Sequence, residues 1–115
     1  MRCERLDVWK RSCRLSVEVY KYFSECRDFG FKDQITRSSL SIGSNIAEGI
    51  EKDSNKETLR FIEIARGSTA ELITQIYIGI EIGYIEKEIG LSWVNEINEI
   101  SKMLIGLKKN YATKL

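Results

Sequence analysis

Residues 34–71 read QITRSSLSIGSNIAEGIEKDSNKETLRFIEIARGSTAE, and this stretch decides the fold. Apolar or small side chains recur at helical spacing on both sides of a polar break. Phe31, Ile35, Ser39, Ile42 and Ile46 precede it, and Ile62, Ala65, Thr69, Leu72 and Ile76 follow it. Beside each runs a second seam of small and polar residues. On the first side it is Ser38, Ser41, Asn45 and Glu48; on the second it is Ser68, Glu71 and Gln75. A helix that buries a single face has no use for a second ordered one. The two seams predict helices packed on two sides, by their own bundle and by another copy of the chain.

Outward from this stretch, capping signals set the remaining elements. The first helix is expected from Asp7, as N-cap, to about Cys26, with a core seam of Leu6, Trp9, Cys13, Val17 (or Ser16), Tyr20 and Phe23. Val8, Leu15, Val19 and Tyr22 make it apolar on a further side. Gly30 punctuates the turn, and the second helix covers about Phe31 to Glu48, with Gly49 as its C′ residue. Ile50 to Asp53 form a linker, and Ser54-Asn55-Lys56-Glu57 matches a capping box opening a third helix that runs to about Ile82. Gly83 to Gly90 read as a loop, and Ser92 as the N-cap of a fourth helix ending near Asn110, with Val94, Ile97, Ile100 (or Ser101), Leu104 and Leu107 inward. Proline is absent, where average usage of about 5% predicts roughly six, so nothing interrupts long helices. Short connections make neighbouring helices antiparallel. The expectation is one all-α domain over 1–115, an up-down-up-down four-helix bundle.

Chemistry is sparse. With no histidine, the chain lacks the usual general base and the Glu-x-x-His ligand pairs of di-iron bundles. No glycine-rich phosphate loop is present, and three scattered cysteines make a poor zinc site. No enzyme activity, cofactor or metal is expected. Cys3, Cys13 and Cys26 form no C-x-x-C pair, and the start MRCERLDVWK has no apolar signal region. No apolar run approaches the roughly 20 residues of a membrane span. The expected location is the cytoplasm.

Net charge is +1, so no global field drives the chain toward a polyanion. The distribution is uneven: residues 1–37 carry +3, residues 38–100 carry −6 and residues 101–115 carry +4. Candidate nucleic-acid contacts are Lys10, Arg14 and Lys21 on one side of the first helix, Arg2, Arg5 and Arg11 nearby, and Lys102, Lys108, Lys109 and Lys114 at the other end of the chain. These lysines equally suit a helix C-terminus, whose dipole they offset. In a ring, several such tails gather at one rim and focus a field that one chain lacks. Glu48, at a helix end that disfavours negative charge, and Glu71, on the polar seam, are expected to pair with Arg37, Arg60 or Arg66, within the bundle or across a subunit boundary.

SSLSIGSNIAEG followed by FIEIARGSTAELITQIYIGIEIGYI resembles the bacterial four-helix bundle proteins encoded in 23S rRNA intervening sequences. Their pattern is roughly QxRRAAxSIPxNIAEG, a serine-rich linker, then FLxIAxGSxxELxTQLxIAxxLGY. Gln34, Arg37, Ser41, Ile42 and Asn45 to Gly49 match the first part; Phe61, Ile64, Ala65, Gly67, Ser68, Glu71, Leu72, Thr74, Gln75, Gly83 and Tyr84 match the second. Departures are Thr36 for the first paired arginine, Ser38-Ser39 for the alanine pair, and Gly43 for the usual proline. The resemblance implies a homopentamer of four-helix bundles. Related bundles of diversity-generating retroelements bind nucleic acid, which makes RNA or a ribonucleoprotein the expected partner beside the chain itself. The alternative is a purely protein-binding assembly module.

Overall fold

The computed structural model describes residues 2–113. A short 3₁₀ turn, Arg2–Arg5, leads into four helices: α1 (Asp7–Tyr22), α2 (Phe29–Ile50), α3 (Asn55–Glu81) and α4 (Lys87–Ala112). They run up-down-up-down in a rod of 46 × 20 × 20 Å, each packed on its neighbours in order, with α1 closing against α4. At about 1.5 Å per residue α3 alone spans roughly 40 Å. The N-terminal turn, the α2–α3 connection and the end of α4 share one end of the rod. The α1–α2 and α3–α4 connections share the other.

The core follows the expected seams in three helices. Ile35, Ser39, Ile42 and Ile46 of α2 are buried, with Ile62, Ala65, Thr69, Leu72 and Ile76 of α3 and Val94, Ile97, Ile100 and Leu104 of α4. The first helix differs. Its inward face is Val8, Ser12, Leu15, Ser16, Val19 and Phe23; of the expected seam Ser16 and Phe23 are buried, Leu6, Trp9 and Cys13 are half-buried at its edge, and Val17 and Tyr20 are turned outward. Two apolar stripes of the same period compete on α1, and periodicity cannot rank them. The inward one aligns Ser16 with Ser39 of α2, whose hydroxyls lie 3.2 Å apart and satisfy each other inside the bundle.

Several helix ends shift for local reasons. Leu6, not Asp7, precedes α1, and it is extended with no side-chain cap. The N-cap of α2 is Asp28, whose Oδ1 accepts from the Phe31 amide at 3.1 Å, which draws the helix start back to Phe29. Ser54 caps α3 as expected, accepting from the Glu57 amide at 3.1 Å. Gly49 does not terminate α2. It stays helical and buried because α3 crosses there; a Cβ would stand 2.8 Å from Phe61 Cβ. Thr58 donates to the Gly49 carbonyl at 2.7 Å and fixes that crossing. Gly83, with φ of 82°, is the residue that ends α3 in the left-handed region. The expected loop to Gly90 is shorter, since α4 begins at Lys87 and contains both Gly90 and Ser92.

Candidate interaction surfaces

The two flanks of α2 differ in chemistry. Toward α3 the flank is polar. Ser41 Oγ lies 2.6 Å from Ser68 Oγ, Ser68 donates to the Ile64 carbonyl at 3.2 Å, and Asn45 Nδ2 donates to the Ser41 carbonyl at 2.7 Å. The Ser41 hydroxyl also sits 3.0 Å from the Ser38 carbonyl. Ser38 and Ser68 are buried, whereas Ser41, Asn45 and Gln75 are half-buried. Small side chains therefore serve first to bring α2 and α3 together. Gln75 Oε1 is buried and accepts no hydrogen bond.

Toward α1 the flank of α2 is apolar. Trp9, Cys13, Leu40, Gly43 and Ala47, with Ser12, Ser16 and Ser44, line a groove of about 230 Å³ between the two helices. Further along α1, at helical spacing, Val17 is 52% exposed and Tyr20 44%; Leu40 is 50% exposed. Phe29, at the start of α2, is 72% exposed. Burial pushes the Cys13 thiol up, away from the reactive thiolate.

Acidic seam residues do not find their expected partners inside the protomer. Arg37 pairs with Asp33 at 3.0 Å, Arg60 with Glu57 at 3.6 Å, and Arg66 with Glu63 at 2.9 Å. Each partner lies three or four residues away on the same helix, where little chain entropy is lost in meeting. Glu48 and Glu71 are left exposed on the surface.

The basic candidates divide. Arg2, Arg5 and Lys10 are exposed at the end of the rod where α4 finishes, so the two basic regions of the sequence meet, with Lys109 exposed on that last turn. The cleft lined by Leu6, Asp7, Met103 and Asn110 marks the meeting of α1 and α4 there. Arg14 is exposed farther along α1. Arg11 is engaged: its Nε and Nη2 reach the two oxygens of Glu96 at 2.9 and 2.5 Å, a fork joining α1 to α4. That hydrogen bonding holds the Glu96 carboxyl below its ordinary range. Lys108 is also engaged, 2.8 Å from Glu63 of α3, and Lys102 lies 3.5 Å from Glu99. The Lys108 hydrogen bond, more than Arg66, lowers Glu63. Lys21 lies at the opposite end, beside Ile89 and Ser92. Lys114 lies outside the described residues.

A polar clamp at that opposite end escapes motif reading. Tyr84 donates to Asp28 Oδ2 at 2.9 Å, and the Glu86 amide donates to Tyr22 Oη at 2.9 Å. Behind them Tyr22, Phe23, Phe31, Tyr84 and Trp93 form edge-on and tilted ring pairs with centroids 5.2 to 6.5 Å apart. The amide and the hydroxyl that Asp28 accepts from depress its pKa. The only sequence signal was an Asp three residues before a helical amide, visible had the helix start been drawn at Phe29.

Among the described residues no cluster of His, Cys, Asp or Glu could hold a metal, and no helix is long and apolar enough to cross a membrane. What the fold and surfaces define is a small antiparallel four-helix bundle with a serine-joined helix pair at its centre and an unpartnered apolar flank. The chain belongs to the 23S rRNA-intervening sequence protein family, whose model matches residues 4–106. It is similar to the solved structure of a protein with unknown function from the S23 ribosomal protein family of Bacteroides thetaiotaomicron VPI-5482. The TM-score is 0.83 at 31% identity, over 89% of this chain and 98% of that one. No curated protein sequence matches the chain.

Proposed function

We propose that this protein is a non-enzymatic assembly unit, a homopentamer whose gathered basic ends contact RNA or a ribonucleoprotein. The observation that carries the self-assembly is the outward apolar stripe on α1 and α2. Half-buried Trp9 on α1 and exposed Leu40 on α2 line a groove between the two helices, and Val17 and Tyr20 extend the apolar surface along α1. Patches of this kind on soluble proteins mark contact sites. The exposed side chains of Arg37, Glu48 and Glu71 along the α2–α3 flank supply polar groups for a neighbouring copy's opposite surface. RNA contact draws on Arg2, Arg5, Lys10 and Lys109, whose side chains are exposed at one end.

Native mass measurement tests the first half. A particle of five 13.3 kDa chains is expected, and Val17→Lys combined with Leu40→Lys is expected to reduce it to single chains. A wild-type monomer at tens of micromolar would overturn it. For RNA, affinity is expected to fall with salt at a log–log slope of about −0.7 to −0.9 per phosphate contact. Replacing Arg2, Arg5, Lys10 and Lys109 should flatten that slope. A specific observation favours the second reading, a protein-binding module without a nucleic-acid role: Arg11, Lys102 and Lys108 already carry carboxylate partners. Absence of RNA binding at low salt selects it.

A further inference from the structure

The turn end of the rod holds an open cleft of about 510 Å³ between the α1–α2 and α3–α4 connections, lined by Tyr22, Phe23, Cys26, Arg27, Asp28 and Tyr84. Its polar groups are arranged by the fold. Asp28 Oδ1 accepts from the Phe31 amide and Oδ2 from the Tyr84 hydroxyl, so the carboxylate is fixed while each oxygen keeps a lone pair. Tyr22 Oη accepts from the Glu86 amide, which leaves its own proton to donate. Arg27 is exposed, and none of the ion pairs among the described residues involves it. The cleft thus combines aromatic walls, two adjacent acceptor sites, one hydroxyl donor and a guanidinium at its rim.

We infer that this cleft binds one unstacked guanine base, carried by a free nucleotide or by single-stranded RNA. Guanine is the base whose Watson–Crick edge sets two donors, N1–H and the N2 amino group, side by side next to an acceptor, O6. A carboxylate takes the two donors, and a hydroxyl or guanidinium meets O6. Adenine turns an acceptor, N1, toward the carboxylate; cytosine and uracil lack the adjacent donors. Aromatic side chains that stack an extruded base while polar groups read its edge are the usual means of single-strand recognition. Arg27, exposed in the lining of the cleft, suits the phosphate. Glu25 and Glu86 flank the same connections and disfavour a long polyanion, so the fit is to one nucleotide rather than a duplex. The site lies at the end away from Arg2, Arg5 and Lys109, and stands whether or not those residues contact RNA.

Fluorescence of Trp93, whose ring lies 5.2 Å from that of Tyr22, reports on the cleft. The protein is titrated with guanosine, GMP, AMP, and short single-stranded RNAs with and without one G. Guanosine and GMP are expected to saturate the signal, with AMP weaker by about 10-fold or more. Asp28→Asn retains a capping oxygen for α2, so it should fold, and should erase the preference for GMP over AMP. Arg27→Ala should bring GMP down to the affinity of guanosine and leave guanosine unchanged. Tighter binding of the G-containing RNA than of GMP assigns the base to RNA; equal or weaker binding assigns it to a free nucleotide. Equal affinity for GMP and AMP, a preference surviving in Asp28→Asn, or no saturable response to millimolar guanosine overturns the inference. Salt-dependent RNA binding that persists in that case leaves the basic-end reading standing alone.

Discussion

Tyr84 and Asp28, 56 residues apart in sequence, are joined by a 2.9 Å hydrogen bond that ties the α3–α4 connection to the first turn of α2. The bond shifts both groups in opposite directions. Asp28 is lowered, first by the Phe31 amide and then by Tyr84, and Tyr84 is raised by Asp28. A lowered carboxyl contributes stability above its ordinary value of about 3.9, lost as pH falls through the lower folded value. A raised phenol contributes below about 10, lost as pH rises through the higher folded value. Melting temperature against pH should therefore droop at both extremes. Tyr84→Phe is expected to remove the alkaline droop and only part of the acid one, because the amide remains. Asp28→Asn should flatten both.

Gly49→Ala is expected to destabilise the bundle by about 1–3 kcal/mol in chemical denaturation. The added methyl meets Phe61 Cβ at 2.8 Å and the Thr58 carbonyl at 3.3 Å, and backbone cannot step aside as a side-chain tip can. A neutral or stabilising outcome would mean that α2 and α3 slide apart freely at their crossing.

Ser41 and Ser68 should show coupling in a double-mutant cycle. Each alanine variant alone leaves the other hydroxyl with only its own helix carbonyl, and the pair is expected to be worth about 0.5–1.5 kcal/mol. Additive single-mutant effects would place the polar flank of α2 outside the folding energetics of the protomer.

The lysines of the last helix are not equivalent. Lys108 holds Glu63 of α3, so Lys108→Ala should cost a small stability increment, under about 1 kcal/mol for a pair this exposed, and lessen the depression of the Glu63 pKa, the remainder being held by Arg66. Lys109 is exposed, so Lys109→Ala should leave the melting temperature unchanged while reducing any RNA salt slope by about one contact. NMR titration of the Glu63 carboxyl and the salt series check the two halves separately.

Periodicity in residues 34–71 made the central helix pair legible, because Ile35, Ile42 and Ile46 on one side, and Ile62, Leu72 and Ile76 on the other, compete with no second apolar stripe of equal weight. On α1 the competition was real. Trp9, Cys13 and Val17 repeat at the same interval as Leu15 and Val19, and packing against the other helices, with Ser16 meeting Ser39 of α2, selects between the two stripes. Gly49 misled for a related reason. A glycine after a helical run signals a stop when judged locally, whereas here it makes room for α3, a contact made across the α2–α3 connection. The arginine pairings failed because near carboxylates on the same helix, Asp33, Glu57 and Glu63, were within reach. The Asp28–Tyr84 cleft needed three-dimensional closure of two distant turns, which no spacing rule encodes.

The three thiols sit at two depths, with Cys3 only 1% exposed on the inner side of the N-terminal 3₁₀ turn and Cys13 and Cys26 half-buried. An alkylating reagent therefore meets them at rates set by how often each layer lifts. Modification of Cys3 clocks the fraying of the opening turn, whereas Cys26 times the breathing of the far end. The protein carries, without any added label, its own stopwatch for local motion at both extremities.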